Sequence, residues 1–339
     1  MNRFLQLAPE DRARAFEQAA VNRGLPPASV EKDFWVCLVL RELFDLPEYG
    51  PHLTFKGGTS LSKAWGLIDR FSEDIDLTIG RDALGFGGEN DPQAAGSRNE
   101  QRRRIEKLKA ACRDVVVDRI APEMTARMIA LLPAEKTWRI LPDPDDPDSQ
   151  TLLFAYPRHN AENTPSYVKP IVKLEFGARS DPWPVEARQV TSIAAEELPR
   201  QFDIPACTVQ ALLPERTFLE KVMLLHEERF RPADRTRRPR MARHYYDVWR
   251  LIQLGVAARA IDDSTLFEQV AAHREVYFRQ SWVNYATLRR GTIEMLPLPG
   301  QLDEWRRDYS AMQGEMFVGT PPTFEEILAA IEKFQSELK

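Results

Sequence analysis

The sequence predicts an α+β protein: a mixed β-sheet with flanking helices, followed by a mostly helical C-terminal part. Segments with the alternating or short apolar pattern of strands all lie before about residue 205. Segments with apolar residues at helical spacing dominate from residue 214 onward, and the chain has no internal repeat or low-complexity tract. A run of strands followed by a run of helices is typical of an α+β fold or of separate domains. We therefore expect two domains, residues 1–205 and 206–339.

Composition excludes several classes of protein. With 43% hydrophobic and 29% charged residues, the chain is typical of a soluble globular protein and not of a disordered one. It has no run of about 18 apolar residues, so no transmembrane helix is expected, and its first residues lack the pattern of a signal peptide. Its three cysteines form no CxxC pair and its five histidines no HExxH motif, which disfavours disulfide frameworks and zinc hydrolases. We expect a cytoplasmic protein with no membrane partner.

The elements of the first half follow from apolar spacing. The second predicted helix is apolar almost all round, as buried helices are, and Ser29 is its expected N-cap. Residues 74–79 alternate cleanly, with Ile75, Leu77 and Ile79 on one face, so a half-buried strand is predicted there. The predicted elements of this half are helices at 9–22 and 29–44, a strand at 53–56, a helix at 60–68, a strand at 74–79, helices at 97–119 and 122–131, and strands at 138–141, 152–156 and 171–176.

The second half is predicted to be helical. Gly255 marks the end of one predicted helix, because glycine is common directly after a helix C-terminus. Thr323-Phe324-Glu325-Glu326 opens the last predicted helix with a capping-box pattern. The predicted helices of this half are 214–230, 241–254, 264–279, 301–313 and 323–337.

Two glycines follow the predicted strand at 53–56, in the segment Phe55-Lys56-Gly57-Gly58-Thr59-Ser60. Glycines let the backbone adopt positive φ and approach a ligand closely, and N–H groups at a helix start bind anions. The GxxxxGK[ST] motif of a Walker loop is absent. A plain tight turn is the ordinary explanation of such glycines, so this segment by itself does not specify a site.

Asp74 and Asp76 are two residues apart on a predicted strand. Their side chains should therefore leave the same face, about 6.5–7 Å apart. Carboxylates this close repel each other unless a positive charge lies between them, and oxygen ligands favour Mg²⁺ or Mn²⁺. The alternative is a solvated strand face, where polar residues are normal. Glu175, on the predicted strand at 171–176, is either a third carboxylate on a neighbouring strand or an exposed residue beside Lys173.

An arginine-rich stretch lies between two helical segments, one carrying Lys221 and the other Asp247. A solvated loop is the ordinary explanation for such a run, and contact with a nucleic-acid backbone is the functional one. A lysine beside an apolar helical stripe, as Lys221 is, often extends to water instead of binding a ligand. The arginines of the stretch are Arg229, Arg231, Arg235, Arg237, Arg238, Arg240 and Arg243.

The segment FKGGTSLSKAWGLIDRFSEDIDL resembles the signature of the nucleotidyltransferase superfamily, in which a strand, a Gly-Gly turn, a helix and a DxD strand follow one another. Together with EKDFWVCLVLREL, ERTFLEK and RHYYDVW, it is similar to the AbiEii/AbiGii toxin family over about residues 28–254. The resemblance implies a nucleotidyltransferase-like sheet core. It also implies an enzyme that transfers NMP from an NTP and acts as the toxin of a bacterial toxin–antitoxin or phage-defence system.

The resemblance also implies roles for particular residues. Asp74 and Asp76 match the metal carboxylates, with Mg²⁺ or Mn²⁺ as the metal, and Glu175 is a third candidate. Lys221 matches the phosphate-binding lysine and Asp247 the late aspartate; Leu225 stands where the family often has a second lysine. The nucleotide-binding candidates are Gly57, Gly58, Thr59, Ser60, Lys221 and Asp247, and the RNA-binding candidates are Arg235, Arg237, Arg238 and Arg240.

Expected partners are an NTP, an RNA acceptor such as the 3′ end of tRNA, and a cognate antitoxin. Two alternatives remain open: a nucleotidyltransferase that modifies a protein or small molecule, and a catalytically silent interaction protein of the same fold. The intact DxD pair argues against the silent protein, because two neighbouring carboxylates repel each other without a metal.

Overall fold

The computed structural model describes residues 1–72, 74–132, 137–158, 169–317 and 319–338. Glu73, which belongs to the segment that carries the DxD pair, lies outside these ranges. The chain divides into two compact units, the first containing residues 1–64 and 73–211 and the second residues 65–72 and 212–339. No helix in the described ranges is long and apolar enough to cross a membrane.

A seven-stranded mixed sheet is the main element of the first unit, in the order β3-β4-β5-β2-β1-β7-β6. Strand β2 pairs antiparallel with β1 and parallel with β5, so it lies inside the sheet with a neighbour on each side. Its apolar face is buried, as the alternation of residues 74–79 predicts. The strands are β1 Leu53–Lys56, β2 Ile75–Ile79, β3 Arg139–Pro142, β4 Thr151–Ala155, β5 Ile171–Gly177, β6 Val185–Thr191 and β7 Ala206–Leu212.

Helices of the first unit flank this sheet. The helices are α1 Asn2–Leu5, α2 Pro9–Arg23, α3 Pro27–Phe44, α4 Gly57–Lys63, α5 Arg98–Val115, α6 Ala121–Leu131 and α7 Ile193–Glu197. A π-helical turn, Val116–Ile120, joins α5 directly to α6. Helix α3 is buried along most of its length, as predicted, but it begins at Pro27 with Pro26 at the N-cap. Ser29 is therefore not the cap, because a proline at the first helical position is already set for the helix.

Helices make up the second unit. They are α8 Pro214–Arg229, α9 Arg243–Gln253, α10 Val256–Asp262, α11 Ser264–Tyr277, α12 Leu302–Met316 and α13 Phe324–Glu337. Tyr245 of α9 lies at the centre, in edge-to-face contact with Trp305 of α12 and Phe324 of α13. The predicted capping box at Thr323 is confirmed. These packed helices follow the sheet in sequence, so the predicted α+β class with a mostly helical C-terminal part is confirmed.

The sequence predictions missed strands β6 and β7 and made one helix too long. Strand β7 was not predicted, although its buried Cys207, Val209 and Ala211 alternate with more exposed residues, and it extends the strands beyond residue 205. Strand β6 was also missed, because most of its side chains are exposed at an edge of the sheet. The helix predicted over 60–68 is α4, which ends at Lys63. The segment that follows α4 belongs to the second unit. The division into domains at 205/206 stays a prediction, and the compact units differ from it on this segment and in changing at 211/212.

The loop between α8 and α9 carries most of the arginine-rich stretch, and carboxylates of the second unit hold it in place. Arg237 is buried, donates to Glu228 and Glu304, and lies over the Trp305 ring with 4.1 Å between the guanidinium carbon and the ring centroid. Asp308 accepts from the backbone N–H groups of Arg240 and Ala242. The loop is therefore an ordered structure built on acidic residues.

Neighbouring arginines of this loop have opposite surroundings, which gives a matched pair of substitutions. We expect Arg237→Ala to lower the free energy of unfolding by about 2–3 kcal/mol, because it leaves Glu228 and Glu304 without this partner. Glu228 still has its ion pair with Arg231 in this variant. The loss of stability is therefore smaller than that of a fully broken buried ion pair, which is about 3–5 kcal/mol. Arg238 is exposed, and Arg238→Ala should change stability by no more than about 0.5 kcal/mol. Urea unfolding of both variants measures the difference, and equal stability would contradict the assigned role of Arg237.

Candidate active site

The DxD pair lies where the chain enters β2. Asp74 immediately precedes the strand and Asp76 is its second residue, and both side chains are partly exposed. Asp76 is in register with Lys56 of β1 on one side and with Glu175 of β5 on the other. Residues in register on adjacent strands project from the same face of a sheet. Lys56, Asp76 and Glu175 therefore form a row across three strands.

The position of Glu175 agrees with both alternatives that the sequence left open. Glu175 is on the strand next to β2, as one of the two predictions for it states. It also contacts Lys173, with 2.8 Å between Lys173 Nζ and Glu175 Oε1, so the other description holds as well. Position alone does not assign a role, and the function of Glu175 stays a prediction.

Helix α4 touches the DxD segment directly. Gly57 has φ +76°, and a Cβ placed on it would overlap Asp76 Oδ2, closer than any side-chain atom could remain. Only a glycine therefore lets the Asp76 carboxylate lie against the start of α4. Thr59 Oγ1 donates a hydrogen bond to the main-chain carbonyl of Asp74. The Gly-Gly segment and the DxD segment, recognised separately in the sequence, form one local structure.

Ser60 and Gly58 are buried beneath this surface. The Ser60 side chain is only 2% exposed, and its hydroxyl oxygen has no hydrogen-bond partner among the described residues. A buried hydroxyl without a partner costs free energy, which is unusual in the interior of a folded protein. At the other end of α4, Lys63 Nζ lies 2.6 Å from Asp33 Oδ1 and ties the helix to α3. Helix α4 is thus fixed at its C-terminal end and faces the carboxylates at its N-terminal end.

Lys173 is a residue of this surface to which the sequence analysis assigned no function. Its ammonium nitrogen lies near Glu175 and 3.4 Å from Asp143 Oδ2. Burial tends to lower the pKa of Lys173, but the hydrogen bond to Glu175 and the charges of Glu175, Asp143 and Asp74 outweigh it and raise the pKa. The lysine therefore stays charged and partly neutralises the carboxylates. The signal was present in the sequence, since Lys173 and Glu175 share a strand face.

The chemistry and grouping of the carboxylates indicate whether they could hold a metal ion. Within the described ranges, no three or more Asp, Glu, His or Cys side chains are grouped closely enough to hold a metal ion by themselves. Magnesium is usually held by one or two carboxylates, with water and substrate phosphates completing its shell. Asp74 and Asp76, which are partly exposed at the start of one strand, fit this mode of magnesium coordination.

The second unit contains a separate buried charge cluster around Asp247 of α9. Arg70 binds this carboxylate with two parallel contacts, 2.7 Å from Nε to Oδ1 and 2.8 Å from Nη2 to Oδ2. Lys221 Nζ of α8 lies 2.9 Å from the same Oδ2 and 3.4 Å from His244 Nδ1. The Asp247 side chain has no exposed area. Lys221 and Asp247, which the resemblance picked out separately, thus lie in contact, and Arg70 is the residue of this cluster that the sequence did not reveal.

Charge compensation explains the ionisation of this cluster. Burial would raise the pKa of Asp247, but the charges of Arg70 and Lys221 outweigh it and hold the pKa far below its usual value. Burial lowers the pKa of Lys221. The negative charge of Asp247 raises this pKa, and the positive charge of Arg70 lowers it further. Burial, reinforced by Lys221 and Arg243, lowers the pKa of His244 well below its usual value, so its ring is neutral. Its Nδ1 can then accept a hydrogen bond from Lys221.

The predicted RNA-binding arginines divide into two groups. Arg235, Arg238 and Arg240 are exposed on the loop between α8 and α9. Arg237 is buried between two glutamates and a tryptophan, so its prediction as an RNA contact conflicts with its surroundings. The physical reason is that Glu228 and Glu304 compensate the charge of Arg237. The spacing of these residues in the sequence does not predict that pairing.

Comparisons with known proteins bear on both sets of site residues, those around the DxD pair and those around Asp247. The family model of the nucleotidyl transferase AbiEii toxin, from type IV toxin–antitoxin systems, matches residues 38–330. A solved structure, MenT4, a nucleotidyltransferase toxin of Mycobacterium tuberculosis, is similar with a TM-score of 0.52 and 16% sequence identity. The match covers 96% of this chain and 90% of that chain, and at this identity it shows a shared fold. No curated protein matches the chain in sequence.

The family model spans the Gly-Gly segment, the DxD pair, Lys221 and Asp247, which are the residues that carried the resemblance in the sequence. That resemblance is confirmed, and with it the expected nucleotidyltransferase activity and the expectation of an antitoxin partner. The chain belongs to the AbiEii family of nucleotidyltransferase toxins of type IV toxin–antitoxin systems.

Proposed function

We propose that this toxin is a metal-dependent enzyme that transfers NMP from an NTP to the 3′ end of an RNA, with tRNA as the acceptor. The observation that carries the proposal is the close approach of Gly57 to the Asp76 carboxylate. That approach brings the backbone of the Gly57–Ser60 segment next to carboxylates suited to a metal. We assign these two features to a metal-bound triphosphate.

The cation proposed for this site is Mg²⁺ or Mn²⁺, with Asp74 and Asp76 as its carboxylates and Glu175 as a third candidate. When bound, such an ion neutralises phosphate charge and lowers the pKa of a nearby hydroxyl. In the described structure, Lys173 supplies the positive charge beside Glu175. Glu175 would either complete the metal shell or accept the proton of the attacking hydroxyl.

The transfer step follows from the chemistry of nucleotides. The 3′ hydroxyl of the acceptor gives its proton to Glu175 or to solvent, its oxygen forms a bond to the α-phosphorus, and the bond from that phosphorus to the oxygen bridging to the β-phosphate breaks. Pyrophosphate leaves, and its developing charge needs a cation. We assign that role to Lys221, a compact charge suited to phosphate, and the Gly57–Ser60 segment to the triphosphate. Because the Asp247 carboxylate is fully buried and holds Lys221, we assign Asp247 the orientation of that lysine.

Exposed arginines support RNA as the acceptor. Arg235, Arg238 and Arg240 lie on one loop of a chain whose net charge is −5, so their positive charge is local. Local charge, more than net charge, attracts a polyanion. A protein or small-molecule acceptor is the alternative, and it predicts transfer that does not depend on these arginines. Action in phage defence, in the cytoplasm, is the setting that we propose for this chemistry.

The first prediction concerns the carboxylates. Incubated with total RNA, Mg²⁺ and each labelled NTP in turn, the wild-type protein should label RNA of tRNA size. Asp74→Asn and Asp76→Asn should each lower this labelling at least about 10³-fold, because a metal carboxylate is lost in each variant. Asp114→Asn, on the exposed face of α5, is the matched control and should keep wild-type activity. Full activity in either DxD variant would overturn the assignment.

A second prediction concerns the contact between Gly57 and Asp76. Gly57→Ala should lower transfer by about 10²-fold or more, since misplacing a catalytic group by about 1 Å has that cost. Gly24 has nearly the same φ, +65°, and a Cβ added to it would meet no atom within 4 Å, so Gly24→Ala separates backbone strain from the clash. Both variants should lose about 1–2 kcal/mol of stability from the positive φ. Equal activity in the two variants would contradict the proposed contact.

A third prediction tests the acceptor. Replacing Arg235, Arg238 and Arg240 together by Ala should weaken RNA binding and reduce the magnitude of its salt slope by about 2–3, while NTP affinity stays unchanged. The control is the triple replacement of Arg3, Arg14 and Arg200, which are exposed elsewhere and remove the same charge. Binding to a labelled tRNA between low and high salt gives the slopes. Equal slopes in both triple variants would leave the loop arginines as solvated residues.

A further inference from the structure

Arg70 lies in residues 65–72, the short segment between α4 and β2 that belongs to the second unit. Its main chain forms an isolated antiparallel bridge with Phe317, and the N–H of Phe71 donates to the carbonyl of Met316. Its side chain is 2% exposed and ends on Asp247. Backbone and side chain together therefore fix the guanidinium in one place.

Asp247 is shared between two cations, and the sharing is unequal. Arg70 donates to both carboxylate oxygens, whereas Lys221 contacts only Oδ2, which Arg70 also occupies. A planar guanidinium matches a carboxylate with two parallel bonds, and an ammonium acts as a point charge. Most of the compensation of Asp247 thus comes from Arg70, and Lys221 is compensated only in part.

We propose that Arg70 is a positioning residue for nucleotide binding: by occupying both oxygens of Asp247, it prevents this carboxylate from closing an exclusive ion pair with Lys221. The ammonium of Lys221 then keeps charge available for phosphate. The proposal rests on the proposed function, in which Lys221 binds the phosphates of the NTP.

Without Arg70, Asp247 has Lys221 as its remaining ion-pair partner among the described residues. An exclusive pair in a buried site is strong, because a low dielectric strengthens the attraction. The phosphates of an NTP would then have to compete with Asp247 for the same ammonium. Nucleotide affinity should fall even though Lys221 itself is unchanged.

A purely structural role for Arg70 makes a different prediction. In that case the variant loses melting temperature and active fraction, but each folded molecule binds NTP as the wild type does. Arg250 supplies the matched control, because it ties the same segment to the same helix: Arg250 Nη2 of α9 lies 2.7 Å from Asp69 Oδ2. Arg250→Met loosens that tie without removing a contact to Asp247.

The experiment measures the affinity of the full chain for ATP, CTP, GTP and UTP by titration calorimetry with Mg²⁺, together with melting temperature. For the NTP that binds best, Arg70→Met should weaken affinity at least about tenfold and Arg70→Lys less, since a point charge holds one oxygen at a time. Transfer assays of the same variants should show the change in KM for this NTP more than in kcat. Arg250→Met should bind as the wild type does.

The decisive variant is the double substitution Arg70→Met/Asp247→Asn. It removes the carboxylate that would capture Lys221, so NTP affinity should recover part of the loss seen in Arg70→Met. A structural role predicts no recovery, because the double variant has lost two buried partners. Wild-type affinity in folded Arg70→Met, or affinity in the double variant no better than in Arg70→Met, would overturn the proposal. If Arg70→Met does not fold, Arg70→Lys decides: unchanged affinity overturns the proposal and weakened affinity with an unchanged melting temperature supports it.

Lys221→Ala, measured in parallel, separates this proposal from the proposed function. Wild-type NTP affinity in Lys221→Ala would remove Lys221 from the nucleotide site, and the proposed function would lose that assignment. Weakened affinity in Lys221→Ala together with wild-type affinity in Arg70→Met would overturn the role of Arg70 alone.

Discussion

A buried carboxylate needs compensating positive charge, and in the second unit the buried carboxylate is that of Asp247, which Arg70 and Lys221 contact. The side chain has no exposed area, so an ionised Asp247 is stable only with cations in contact. Arg70 and Lys221 provide them from two other parts of the chain, a short segment before β2 and helix α8. Asp247 opposes the lowering of the Lys221 pKa by burial, and it binds Arg70 of residues 65–72 through both carboxylate oxygens.

In the first unit, by contrast, carboxylates lie near one another on a partly exposed surface. Strand register puts Glu175 beside Asp76, and Lys173 supplies positive charge in contact with Glu175 and Asp143. Gly57 contributes by having no side chain, since any Cβ would displace the Asp76 carboxylate. Two lysines, Lys56 in register with Asp76 and Lys173 in contact with Glu175, thus lie beside carboxylates of this surface.

Much of this could be predicted from the sequence, because the features concerned are local. Alternation at residues 74–79 gives β2 and its polar face, and the Gly-Gly segment followed by the DxD pair gives the family. What could not be predicted depends on contacts between distant residues. Arg70 and Asp247 are 177 residues apart, and no period or spacing joins them. Arg237 and its neighbour Arg238 differ only in what lies beside them, which a run of arginines does not reveal.

The segment RFSEDIDL can now be understood as serving both units. Its first residue, Arg70, binds Asp247 in the second unit, and of its two aspartates in the first unit Asp74 immediately precedes β2 and Asp76 lies within it. Only three residues separate Arg70 from Asp74 in the sequence. Each end of the motif therefore has its own structural requirement, a buried ion pair within the second unit and the strand register within the first. A pattern with two independent structural requirements over seven residues is more specific than a DxD pair by itself.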